Sequence, residues 1–352
     1  MNTRLRLYLL HLLLLAVFGP NGALAATGVP AQGAPSLTEP LPQRLSETGL
    51  YEPGTRRVQP GILSYSPQYP LWSDGATKRR WFRLPPGGSI DVASFDAWEF
   101  PPGTRFWKEF SHDRPVETRL IERLADGSWR YAAYVWADDG NDAYLAPVDG
   151  IIAVPAAGAP GGRYRIPAED DCRACHEGGA VPVLGVSALQ LSPDRDPLAP
   201  NAEVRRPDDV DLGQLAGRGL LANLRAEYHG YAPRVPAAST TSRAALGYLH
   251  GNCGHCHNAT GSLADIGLVL LQDVGAPDAV DRVVGTTVGQ PADSSIEGLP
   301  VRIVAGRPEQ SQLLARMLSR NPNHRMPPLG TRLPDAEAVQ LIEEWIQQMQ
   351  DQ

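Results

Sequence analysis

Cysteine and methionine are scarce in this chain, four of each in 352 residues, and Lys78 and Lys108 are its only lysines. Two lysines among 32 basic residues mark a strongly Arg-biased composition. Basic charge is in deficit as well: 32 Lys and Arg stand against 39 Asp and Glu, a formal net charge of −7. That balance lacks the electrostatic footprint of a nucleic-acid binder and suits a partner that carries a basic patch. No Ser-His-Asp set and no phosphate-binding glycine loop stands out. Asp138-Asp-Gly-Asn-Asp142 lacks the alternating ligand pattern of a calcium loop and reads as an acidic turn. No apolar run reaches the roughly 20 residues that span a bilayer, so no integral membrane segment is expected in the mature chain.

What is present begins with an address. Arg4 and Arg6 precede an apolar run at 7–18, Gly19-Pro20 breaks it, and Ala23-Leu24-Ala25 has the small-x-small pattern of a cleavage site. Residues 1–25 read as a cleaved secretory signal, which makes the expected location periplasmic. Removing them takes away two Arg and no acid, leaving a formal charge of −9. Gly (35) and Pro (33) approach a fifth of the chain, against roughly 12% in average usage, so loops should be abundant. Residues 26–46 lack apolar periodicity and read as a flexible leader.

Residues 47–167 have the texture of an antiparallel β-rich domain. Thr104, Phe106, Lys108 and Phe110 fall on one face of a strand, with Arg105, Trp107 and Glu109 on the other. Runs at 116–124 and 128–136 flank Asp126-Gly127, a pair that predicts a hairpin with a primed turn. Residues 168–236 read as a loop-rich segment. Residues 237–352 read as all-α, with Ser242 capping a helix that leads to His250. A last helix places Val339, Ile342, Trp345 and Ile346 on one face, with acids early, where the helix dipole favours them. The expected fold class is α+β.

All four cysteines fall in two copies of one pattern, Cys172-Arg-Ala-Cys175-His176 and Cys253-Gly-His-Cys256-His257. Two thiols separated by two residues can reach the two vinyl groups of one porphyrin, and the adjacent imidazole then falls beneath the iron. Attachment of this kind takes place outside the cytoplasm, which agrees with the export signal. Competing readings fit less well. A dithiol oxidoreductase would carry its pair at the start of a helix in a βαβ setting. Structural zinc calls for pairs about 15–20 residues apart, whereas these begin 81 apart. Disulfides across two residues leave both histidines unexplained. The pattern implies two covalently held haem c groups, with His176 and His257 as proximal ligands.

The sixth ligands set the function. Met326 lies in His324-Arg-Met-Pro-Pro-Leu-Gly330, a proline-stiffened loop, and is the expected distal ligand of the second haem. Met317 reads as part of a helix face. For the first haem no Met occurs between His176 and Met317. The alternatives are His229, His112, or an open or weakly filled position that would bind a gas or peroxide.

The residues now suggest a family. The stretch from Leu246 through Cys253-Gly-His-Cys256-His257, Gly306-Arg-Pro-Glu-Gln-Ser311 and Met326-Pro-Pro328 to Trp345-Ile346 resembles a class I-type cytochrome c domain. The resemblance implies that Met326 is a distal ligand. Tyr69-Pro-Leu-Trp-Ser-Asp-Gly-Ala76, Phe100-Pro-Pro-Gly-Thr104 and Glu117-Thr-Arg-Leu120 extend the likeness over about residues 47–349 to exported bacterial diheme c-type cytochromes. It implies electron transfer with redox protein partners. The β region followed by Cys172 to His176 is also similar to the cytochrome c-prime-beta superfamily. That likeness implies a haem enzyme or gas-binding sensor as the alternative, with Lys108 the residue to watch.

Overall fold

The computed structural model describes residues 34–349, all within one compact unit. The signal expected at 1–25 and the start of the expected leader lie outside the described residues. The class is α+β. In the first half, strands β1 (Leu63–Ser64), β2 (Thr77–Arg83), β3 (Ile90–Asp91), β4 (Arg105–Ser111), β5 (Pro115–Arg123), β6 (Trp129–Trp136) and β7 (Ala143–Leu145) follow one another. All but β3 form an antiparallel sheet in the order β1-β2-β4-β5-β6-β7. A ribbon of β8 (Ile151–Pro155) and β9 (Arg163–Ile166) leads into helix α1 (Glu169–His176). Helix α2 (Leu212–Gly217) precedes β10 (Leu221–Ala222), which pairs in parallel with β3. Helices α3 (Thr240–Asn252) and α4 (Ala279–Thr287), a ribbon of β11 (Pro291–Ile296) and β12 (Leu299–Val301), and helices α5 (Gln312–Leu318) and α6 (Ala336–Gln347) complete the chain.

Four local expectations need correction. The Asp126-Gly127 hairpin forms, but only Gly127 takes positive φ, at 84°, and its N–H closes a turn onto Leu124 O. This is a turn followed by a left-handed glycine, the form longer hairpin loops use. Ser239, not Ser242, caps α3, with its Oγ accepting from Ser242 N at 3.1 Å. The β11–β12 ribbon interrupts the segment expected to be all-α. Residues 41–46 are no free leader: Leu45 is fully buried, Leu41 packs beside it, and Gln43 O accepts from Leu145 N at 3.0 Å.

The alternation along the strands buries both faces of the sheet. Trp81, Trp107, Leu120 and Ala132 align across β2, β4, β5 and β6 and join Leu45, Leu50 and Trp136 in one core. On the opposite face Phe82 and Phe106 pack with Trp98, Val186 and Leu215. One step along that face the register sets Arg80, Lys108 and Arg119 side by side. Like charges in adjacent strands repel. Carboxylates relieve two of the three: the half-buried Glu203 grips Arg80, and the buried Glu117 takes Arg119 through two bonds of 2.8 and 2.9 Å.

The Tyr69-Pro-Leu-Trp-Ser-Asp segment belongs to the helical core rather than to the sheet. The Tyr69 ring lies so close to α3 that a Cβ at Gly247 would meet it at 2.1 Å, and one at Gly251 would meet Tyr69 O at 2.4 Å. Its hydroxyl donates to Asp196 at 2.9 Å. Trp72 N donates to Asn252 Oδ1 at 2.7 Å, and the Asp74 carboxylate accepts from the N–H groups of Arg332 and Leu333. Glycines at i and i+4 on α3 share one face, and here they make the groove this strap occupies.

Candidate functional site

Helix α1 places Cys172 and Cys175 one turn apart. Its first turn holds Glu169, Asp170 and Asp171, where the helix dipole favours acids. Arg173 clasps Glu169 and Glu177 at i−4 and i+4. The second motif starts where α3 ends: Cys253 is the C-cap, its N–H bonding to Leu249 O, and His257 N bonds back to Cys253 O at 2.9 Å. All four thiols are free. Burial pushes Cys172 up to about 11 and Cys253 to about 12, the reverse of the depression that activates a redox dithiol. Among the described residues no three His, Cys, Asp or Glu side chains gather as they would around a bare metal ion.

Both motifs open onto one cavity of about 790 Å³, within the range of small-molecule sites. Its walls include Cys172, Cys175, His176, Cys253, Cys256, His257 and Met326. Among the described residues, eight arginines and Lys108 line it against Asp74, Asp171 and Asp293. A chain of net charge −7 thus encloses a cationic chamber.

The histidines differ in how they are held. His176 Nδ1 lies 2.6 Å from Pro182 O. A carbonyl can only accept, so Nδ1 carries the proton and Nε2 presents a bare lone pair. This is the support that metal-binding imidazoles characteristically have. Burial, reinforced by Lys108, Arg119 and His255, holds His176 down at about 4, against the pull of the Pro182 bond. His257 Nδ1 is buried without a partner among the described residues.

The motifs also grip each other. Asn258, 3% exposed, donates from Nδ2 to Gly178 O at 2.8 Å and to Gly254 O at 3.1 Å, while its Oδ1 accepts from Gly261 N at 2.8 Å. The backbones touch where glycine alone fits: a Cβ at Gly261 would sit 1.9 Å from Gly178 O, and one at Gly178 would sit 2.8 Å from His255 O. Cys256 Sγ lies 4.0 Å from Ala174 O.

The chamber also holds sulfur and nitrogen groups outside the two motifs. Met326, whose N–H bonds to Arg316 O at 2.9 Å, shares a small pocket with Cys253 and Met317. Met317 is part of a buried helix face, as its sequence suggests, and it also lines the chamber. Lys108, half-buried, has the Phe110 ring 4.7 Å from its Nζ and no hydrogen bond among the described residues. Burial and then Arg80, Lys78 and Arg119 hold its amine well below the usual lysine range. His229 is not at the chamber: it is exposed at the end of a short turn over Ala226–Tyr228. His112 packs against Tyr164 and does not line the chamber either. The sequence reading passed over His255, Asn258 and the chamber arginines. His255 was legible as the His inside the second motif, and Asn258 as the residue directly after it. Compared with known proteins, the chain matches no family model, no curated protein and no solved structure.

Proposed function

We propose that this protein is an exported, periplasmic diheme c-type cytochrome that transfers electrons through two covalently bound haems. One observation carries the reading: two Cys-x-x-Cys-His motifs that use every cysteine face a single cavity. The finer arrangement of a β-rich domain, a haem segment and a cytochrome c domain belongs to this same proposal. The residues present fit the group. Each motif offers two thiols and an imidazole to the chamber, His176 with its Nε2 left bare by Pro182. Aromatic and aliphatic walls suit a macrocycle, and the arginines suit its carboxylates. Bound there, the two groups would supply one-electron redox chemistry.

The chain's own part is to hold and tune. Cys172 with Cys175, and Cys253 with Cys256, would anchor the two groups. His176 and His257 would ligate from the proximal side and Met326 from the distal side of the second. A thioether ligand raises a haem's potential, which suits the second site to electron exit toward a redox partner. No described helix is long and apolar enough to cross a membrane.

The test is haem stoichiometry in protein made by a host that attaches c-type haem. Two haems per chain should survive denaturation and solvent extraction. The double variant Cys253→Ser, Cys256→Ser should keep one. A chain with no covalent haem overturns the reading. Met326→Ala should lower one of the two potentials by a substantial part of the roughly 0.8 V range that axial ligands span; an unmoved potential removes Met326 from the iron.

A further inference from the structure

Besides the motif ligands the chamber holds two kinds of donor. The sulfur donors, Met317 and Met326, gather beside Cys253. The nitrogen donors outside the motif ligands are His255 and Lys108, both in the chamber wall. Among the described residues, His255 is the only chamber imidazole besides those of His176 and His257. It is half-buried, and its ring makes no hydrogen bond among the described residues. With neither ring nitrogen engaged by a described residue, this imidazole is available to an occupant of the chamber.

The fold delivers this side chain across from one motif to the other. His255 belongs by sequence to the second motif, yet its carbonyl oxygen lies where a Cβ on Gly178 would touch it, two residues beyond His176. The next residue, Cys256, abuts Ala174 O between the first motif's two cysteines. Asn258 locks that contact through Gly178 O. The turn that positions the second pair of thiols therefore also carries an imidazole to the first pair.

Building on the diheme reading, we propose that His255 is the distal ligand of the first haem, so that the second motif closes its neighbour's iron. Lys108 is the competing donor, but its Nζ lies over the Phe110 ring at 4.7 Å, whereas His255 rides on the turn that touches the first motif. The first iron is then bis-histidine and the second His/Met. Both are saturated, as suits a relay rather than a gas-binding or peroxide-reducing site.

The experiment uses the full-length holoprotein: electron paramagnetic resonance of the oxidised form reports spin state, and visible spectra of the reduced form are recorded with and without carbon monoxide. Wild type should show two low-spin haems and bind no carbon monoxide. His255→Ala should retain both covalent haems, convert one to high spin and bind one equivalent, and added imidazole should restore low spin. Carbon monoxide binding to wild type overturns the assignment, and that measurement stands even if the variant fails to mature. So does a His255→Ala protein that stays low-spin and unreactive, or a Lys108→Met protein that opens one haem while His255→Ala does not. Failure of the diheme reading is separately visible, as the absence of covalent haem from wild type, and it removes this assignment with it.

Discussion

Asn258 spans the junction between the two motifs with one amide. Its Nδ2 reaches Gly178 O beyond the first motif and Gly254 O inside the second, and its Oδ1 holds Thr260 N and Gly261 N. Asn258→Ala leaves these buried groups unsatisfied at a cost of about 1–3 kcal/mol each at most. A loss of about 2–4 kcal/mol overall is expected, read from chemical denaturation of the holoprotein. Asn258→Asp should recover only part of it, since a carboxylate keeps the acceptor and loses both donations. Equal stability of wild type and Asn258→Ala would mean that the contact does not hold the motifs together. Lys108 is the contrast: its cross-strand neighbours Arg80 and Arg119 have carboxylates in hydrogen-bond contact, and among the described residues it makes no hydrogen bond, with the Phe110 ring 4.7 Å from its Nζ.

At the scale of elements, α3 is the hub. It carries the second motif at its C-terminus and receives the Tyr69 strap on Gly247 and Gly251. Gly247→Ala would raise intrinsic helix propensity by about 1 kcal/mol, but its Cβ would fall 2.1 Å from the Tyr69 ring. Overpacking should win, with a net loss of about 1–3 kcal/mol. Gly285 in α4 is the control: it is exposed, and a Cβ there meets nothing within 4 Å. Gly285→Ala should gain about 0.5–1 kcal/mol. Thermal melts of the two variants should therefore move in opposite directions, and a shared direction would discount the strap.

At the scale of the whole molecule, buried imidazoles tie stability to acidity. His250 is 8% exposed, and its Nδ1 accepts from Gln272 N at 3.1 Å. Burial first, and then the neighbouring His255, pushes it from 6.5 down to about 4. Above the unfolded value the folded and unfolded chains are both neutral there, and the full stability is present. As pH falls from about 6.5 toward 4, the unfolded chain takes up a proton that the folded one refuses. The loss should reach about 2 kcal/mol by pH 5 and roughly 3 kcal/mol near pH 4. His250→Gln keeps an acceptor for Gln272 N–H and should remove that part of the acid sensitivity. Denaturation midpoints at pH 7 and pH 5 decide it: an unchanged pH dependence in the variant would clear His250 of the effect.

The amino-acid order alone determined the motifs, the alternation of β4 to β6, the hairpin at Asp126-Gly127 and the amphipathic face of α6. Each rests on residues near in sequence, where periodicity, turn chemistry and thiol spacing act directly. Finding both motifs on one chamber depended on contacts across about 80 residues, through Asn258, Gly178 and Gly261, that no local pattern encodes. Tertiary structure alone moved the Tyr69 segment from the sheet to the helical core, because the space for its ring is made by glycines on α3. It also removed His229 from the chamber and brought His255 in. A histidine's sequence neighbourhood reports its local turn, while its reach to a second site depends on how two distant turns pack.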